Sequence, residues 1–180
     1  MNDTIRSLVC ESVGIRGIGR VLGIAAGTVM QRIRRIAAAV ERPPVMPDQE
    51  SFEVDELWTY IGRKENEHWV AYALDKARNV VDFVVGKRTV STLRQLTDRL
   101  LASGVKKIKT DRLTHYQKLI PKERHHRSIY GINHIERKNL TLRMHLKRLG
   151  RRTICFNRRL EMLESCLKIY FWGERQVSKV

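Results

Sequence analysis

Three of the four prolines, Pro43, Pro44 and Pro47, fall together in the stretch ERPPVMPDQE. Proline fixes φ and carries no backbone N–H, so such a cluster continues neither a helix nor a central strand, and it stiffens whatever it joins. The chain must therefore change structure here. The apolar pattern changes with it, from a spacing of three and four residues before the prolines to alternation after them. This predicts a linker at 43–50 between an all-helical domain, 1–42, and a second domain, 51–180.

Ahead of the linker, IRGIGRVLGIAAGTVMQRIRRIAAAV places Ile18 and Leu22 one helical turn apart, and Gly23 ends that helix. Ile24 follows as a buried turn residue. Thr28 and Val29 then open a second helix that carries Val29 and Ile33 inward. This is the spacing of a helix-turn-helix, whose second helix lies in the major groove of DNA. The outward residues are Ala26, Thr28, Gln31 and Arg32, with Arg34 and Arg35 toward the phosphate backbone. The competing reading is an amphipathic helical hairpin with a solvated basic face. Gly17 and Gly19 sit inside the first helix, where each costs about 1 kcal/mol against alanine.

After the linker, SFEVDELWTYIG alternates as a strand, with Phe52, Val54, Trp58 and Tyr60 on one face. Segments 68–75 and 79–86 read as two more strands, separated by the charged loop 63–67 and a turn at 76–79. Leu93, Leu96, Leu100 and Leu101 then recur at helical spacing, with Ser91 as a possible cap and Gly104 as the stop. Segment 105–111 reads as a fourth strand, parallel to one already in the sheet. A long basic helix follows at 133–149 and another at about 156–172. Three antiparallel strands, a helix, a parallel strand and further helices give the order of an α/β, ribonuclease H-like mixed sheet, preceded by the small all-α helix-turn-helix.

Composition bears on the partner. Lys and Arg number 35 against 19 Asp and Glu, a net charge of +16, and 42% of residues are hydrophobic. A folded protein this basic is expected to meet a polyanion, here double-stranded DNA. No apolar run of membrane-spanning length and no signal-peptide pattern occur, so the expected place is the cytoplasm, nucleoid-associated through that DNA, with no membrane partner. Cys10, Cys155 and Cys166 have no C-x-x-C spacing and read as reduced thiols.

Three acids stand out. Asp55 interrupts an apolar strand, where its charge is costly to bury without a partner. Asp111 ends the fourth strand, the place where parallel sheets present ligands. If those strands are neighbours the carboxylates converge, and two such groups repel unless a divalent cation lies between them. Glu136 supplies a third acid on the long basic helix, with Asn139, Arg143 and Lys147 at i+3, i+7 and i+11 on its face as groups for DNA phosphates. Three carboxylates holding Mg2+ (or Mn2+), as two ions, make the two-metal arrangement for in-line phosphodiester attack. Glu53 is a substitute for the first position, and Glu56 is expected to point the other way. The competing reading makes Asp55, Asp111 and Glu136 unrelated surface acids.

EVDELWTYIG, KRTVSTLRQL, the TD of KIKTD, and above all HIERKNLTLRMHLKRLGRRTICFNRR resemble the transposases of the insertion sequence one family. The resemblance implies an Asp–Asp–Glu active site in a ribonuclease H-like domain, at Asp55, Asp111 and Glu136. It implies an enzyme that binds the terminal inverted repeats of a mobile element, nicks them and joins the 3′-hydroxyl to target DNA, as a homo-oligomer on DNA. Two features depart from the family. TDRL, with Arg112 and Leu113, stands where Thr-Asp-Gly-Trp is usual, and the sequence shows no counterpart of the cysteine zinc-binding segment that longer members carry ahead of the helix-turn-helix, as expected of a truncated copy or one product of a split element. Arg112 motivates a second hypothesis, a catalytically silent repressor on the element ends; a third is a structure-directed nuclease that cuts without joining. Trp58, Trp69 and Trp172 read as core, and RRTICFNRR as a segment that alternates Ile154 and Phe156 with polar residues and grips phosphate.

Overall fold

The helical spacing ahead of the prolines gives three helices, α1 (Asn2–Cys10), α2 (Ile15–Leu22) and α3 (Ala26–Ala39). The structure is a computed structural model, and it describes residues 1–47, 49–127 and 132–173. Gly23 closes α2 at φ +65, a left-handed conformation that glycine adopts without a Cβ clash. Gly19 is required for a different reason: a Cβ there would lie 2.7 Å from the Ile24 carbonyl oxygen. The helix cost of Gly19 is thus offset by the close passage of the turn. α2 ends at Gly23 as the spacing predicts, but α3 begins at Ala26, two residues before Thr28, and Ile24 is half-buried rather than buried; the spacing gives no sign of α1. The core of this region joins Ile5, Val9, Ile18, Val29, Ile33 and Ile36 to Met162, Cys166 and Ile169 of a C-terminal helix, Leu160–Trp172.

Beyond the linker, β1 (Ser51–Ile61), β2 (Arg63–Leu74) and β3 (Val80–Gly86) lead into α4 (Val90–Ala102). β4 (Lys107–Thr110), the single turn α5 (Thr114–Gln117) and the short β5 (His125–Arg127) follow, then α6 (Asn133–His145) and α7, the Leu160–Trp172 helix. The sheet order is β3-β2-β1-β4-β5. β4 runs parallel to β1 and to β5, and β3 is antiparallel to β2. β1 and β2 are neighbours joined only through Gly62, so they are antiparallel, because a parallel pair needs a long crossover. This is the expected ribonuclease H-like sheet. Leu93, Leu96 and Leu100 of α4 pack with Phe52, Val54, Ala71, Ala73 and Ile108 of the sheet into one core.

Several local expectations are corrected. The charged stretch 63–67 is the first arm of β2 rather than a loop; its residues are exposed, so no apolar alternation marks it. The cap of α4 is Thr89, whose side chain accepts from the Thr92 amide, rather than Ser91. The long basic helix ends at His145. The Lys147 amide donates to the Ser12 hydroxyl at 2.7 Å instead of a carbonyl one turn back, and 147–149 form a 3-10 turn. Lys147 therefore leaves the helical face on which the i+11 spacing places it.

The chain divides into two compact units. A helical unit contains Met1–Arg42, Ile61–Lys64 and the chain from Leu142 onward; a sheet unit contains Pro43–Tyr60 and Glu65–Thr141. The first boundary coincides with the proline linker. The expected single domain 51–180 is divided, because α7 supplies a side of the helical core. No described helix is long and apolar enough to cross a membrane.

Candidate catalytic and metal-binding site

The parallel register of β1 and β4 builds the site. Its last pair is Val54 with Thr110, so Asp55 and Asp111 are the next residues on two adjacent strands, where β4 ends. Carboxylate oxygens of Asp55, Glu56 and Asp111 all lie within 4.8 Å of one another. Burial, and then the negative charges of Glu56 and Asp111, push the Asp55 carboxyl up to about 7, against hydrogen bonds from the Glu56 amide and Asn139. Three acids gathered at the end of a parallel strand pair, one of them strongly desolvated, fit a divalent cation as counter-charge.

Glu56 is the acid that the strand period conceals. The pleat sends it to the face opposite Asp55, as expected, and there it meets Tyr116 and Arg88; its carboxylate nevertheless reaches the cluster. Its side chain is fully buried, one oxygen accepting the Tyr116 hydroxyl and the other accepting Nε and Nη2 of Arg88 at 3.2 and 2.9 Å. Burial raises the Glu56 pKa, opposed by the Tyr116 and Arg88 bonds. Arg88 also comes within 3.9 Å of Asp111. The Leu113 amide donates to the other Asp111 oxygen at 2.8 Å. Arg112, next to Asp111, is exposed.

α6 is tied to β1 by hydrogen bonds. Glu53 accepts from the Ile135 amide at 3.0 Å and lies 2.9 Å from His134 Nδ1, a carboxylate placed in the first turn of a helix. One turn on, the Asn139 amide donates to Asp55 at 2.6 Å and its carbonyl oxygen accepts the buried Tyr72 hydroxyl at 2.8 Å. Asn139, expected among the phosphate-binding groups, is thus a link between Asp55 and β2. Glu136 is exposed in the first turn of α6, one turn before Asn139, and is not among the three clustered acids. The structure therefore brings Asp55 and Asp111 together, adds Glu56, and leaves Glu136 outside that cluster, exposed on the helix whose Asn139 bonds Asp55. Arg143 is half-buried and donates to the Leu149 carbonyl at 3.2 Å, while Lys147 is exposed.

On α3, Gln31 and Arg35 are exposed and Thr28 is half-buried. Arg32 donates to Asn2 at 3.1 Å, and Arg34 pairs with Glu161 at 2.6 Å instead of pointing freely outward. Of the three tryptophans only Trp172 is buried in the core; Trp58 and Trp69 are half-buried. Ile154, expected on an apolar face, is 95% exposed, whereas Asn157 is buried against Arg148.

Residues 51–175 match a family model described as IS1 transposase. The chain is 37% identical over 116 residues to the insertion element iso-IS1n protein InsB of Shigella dysenteriae, covering 64% of this chain and 88% of that one. It is 38% identical over 119 residues to the insertion element IS1 protein InsB of Shigella flexneri, covering 66% and 91%. A chain in a cryo-electron microscopy structure of the simian T-cell lymphotropic virus intasome with a PP2A regulatory subunit is similar at 16% identity and a TM-score of 0.42, over 69% of this chain and 53% of that one. These sequence matches define a nucleic-acid-processing enzyme of the transposase class. The chain belongs to the IS1 transposase family, as the motifs imply.

Proposed function

We propose that this protein binds double-stranded DNA at the terminal inverted repeats of its element, nicks them and joins the freed 3′-hydroxyl to target DNA, acting as a homo-oligomer. The observation that carries this reading is the meeting of Asp55 and Asp111 at the end of the β1–β4 pair, with carboxylate oxygens within 4.8 Å. Asp55, Asp111 and Glu136 are the residues we assign to hold Mg2+ (or Mn2+), as two ions. Bound there, the cations supply the activated oxygen nucleophile and the counter-charge for the phosphorane-like transition state. The protein's own part is positional. Asn139 orients Asp55, the Leu113 amide orients Asp111, and the Glu53 bond holds the first turn of α6, which carries Glu136. Such orientation matters because phosphoryl transfer is catalysed mainly by placement and electrostatics.

For the helical unit we propose DNA end recognition through α3, with Thr28, Gln31 and Arg32 toward the bases and Arg34 and Arg35 toward phosphates. Gln31 and Arg35 have the freest access, and Arg34 must first part from Glu161. Asn139, Arg143 and Lys147 are proposed to lie along the DNA backbone, on the helix that follows Glu136 and the turn beyond it. The test is a duplex carrying the element's own ends. With Mg2+ the protein is expected to nick at the terminus and join the product to a second duplex, and with a chelator to do neither. Cutting without joining would make it a nuclease, and binding without cutting a repressor; either overturns the proposal.

A further inference from the structure

Arg88 is held in a way that the metal-binding reading does not use. Two of its nitrogens, Nε and Nη2, donate to the same oxygen of Glu56, whose side chain is fully buried. Its guanidinium carbon lies 4.4 Å from the centroid of the Trp69 ring. Glu56 cannot turn away, because its other oxygen accepts the hydroxyl of buried Tyr116. One edge of the guanidinium is thereby fixed by a carboxylate and one face by an indole. The side chain is nevertheless 33% exposed, and its Nη2 lies 3.9 Å from Asp111 Oδ2.

Both oxygens of the buried Glu56 carboxylate are engaged, one by Tyr116 and the other by Arg88, although the group sits in the acid cluster. Burying it is costly unless its partner is needed in place. A guanidinium offers five N–H donors in a planar fork, and the bonds to Glu56 leave the Nη1 group uncommitted. Forks of this kind are suited to the non-bridging oxygens of a phosphate, and rigid placement beforehand lowers the cost of using them.

Resting on the reading of the site as one that cuts DNA, we propose that Arg88 grips the scissile phosphate, with Glu56 and Trp69 as positioning residues that aim its guanidinium. The alternative is a salt bridge that only holds β1 to the segment after β3. The two differ in what they sense. A grip on one phosphate depends on that phosphate's charge; a structural bridge does not.

The test pairs protein and DNA changes in the full chain. Affinity for an element-end duplex is measured with and without a single neutral methylphosphonate at the scissile position. Wild type is expected to lose about tenfold more than Arg88→Gln, the size of a charge-assisted hydrogen bond, and the loss that the variant keeps is the share of the bound cations. Arg88→Lys keeps a cation beside Glu56 and serves if the glutamine variant does not fold; it is expected to retain only part of the discrimination. Glu56→Gln keeps an acceptor for Arg88 and is expected to lie between wild type and Arg88→Gln. If Arg88→Gln, or Arg88→Lys in its place, loses as much as wild type on the modified duplex, Arg88 does not touch that phosphate and the inference falls. If wild type does not distinguish the two duplexes at all, the reading of the site fails before Arg88 is at issue.

Discussion

The two compact units handle charge in opposite ways. The sheet unit keeps acids inside: Asp82 is fully buried against Arg99, Glu56 against Arg88 and Tyr116, and Asp55 carries a pKa raised to about 7. The helical unit is closed by Ile5, Val9, Ile18, Ile33, Met162 and Ile169, and its Arg34–Glu161 pair is partly exposed. Arg148 is its buried cation, hydrogen-bonded to Asn157. Both units have an apolar core, but the buried carboxylates of Asp82 and Glu56 belong to the sheet unit, where their burial costs stability and where Asp55, Glu56 and Asp111 gather.

The strongest way to break this contrast is a cavity in the helical core. Ile169→Ala, at a fully buried position, should destabilise the helical unit by about 2–5 kcal/mol. Hydrogen exchange should show protection lost in α1–α3 and α7 and kept in β1, β4 and α4. Equal loss in both units would show that they are not separately built.

A smaller effect sharpens the contrast from the other side. An acid whose folded pKa is raised favours the folded state at low pH. The contribution of Asp55 is fully present below about pH 3.8, is lost as pH rises, and is gone above about 7. Asp55→Asn has no such loss, so in chelator at pH 8 it should be more stable than wild type by on the order of 2 kcal/mol. The difference should close near pH 4, and added Mg2+ should raise the thermal midpoint of wild type alone. A variant less stable than wild type at pH 8 would mean that the carboxylate is held by favourable partners instead of awaiting a cation.

What could be read in the sequence followed from how each element is buried. β1 and β3 sit in the sheet unit's core and show strong apolar patterning, so the strand order and Asp55 were legible. β5 was not, because His125–Arg127 pairs along a single edge with no apolar residue to mark it. α1 was missed because its inward residues, Ile5 and Val9, are too few to set a period, and the partners that bury it include α7, far along the chain. That distance also made 51–180 look like one domain. Glu56 was assigned correctly to its face but not to the cluster, since alternation reports direction at the backbone and not how far a long side chain returns. Lys147 was misplaced because no proline or glycine precedes the break in α6; a hydroxyl from Ser12 ends the helix there.

The central claim is that Asp55 and Asp111, with Glu136, form one cation-dependent cutting site. The most direct measurement compares strand cleavage and end binding for Asp55→Asn, Asp111→Asn and Glu136→Gln in Mg2+. The account predicts cleavage at background for all three, with affinity for the element ends close to wild type. Normal cutting by Asp111→Asn would contradict it outright, and normal cutting by Glu136→Gln with the other two inactive would remove Glu136 from the site and point to Glu56, already in the cluster, as the third acid.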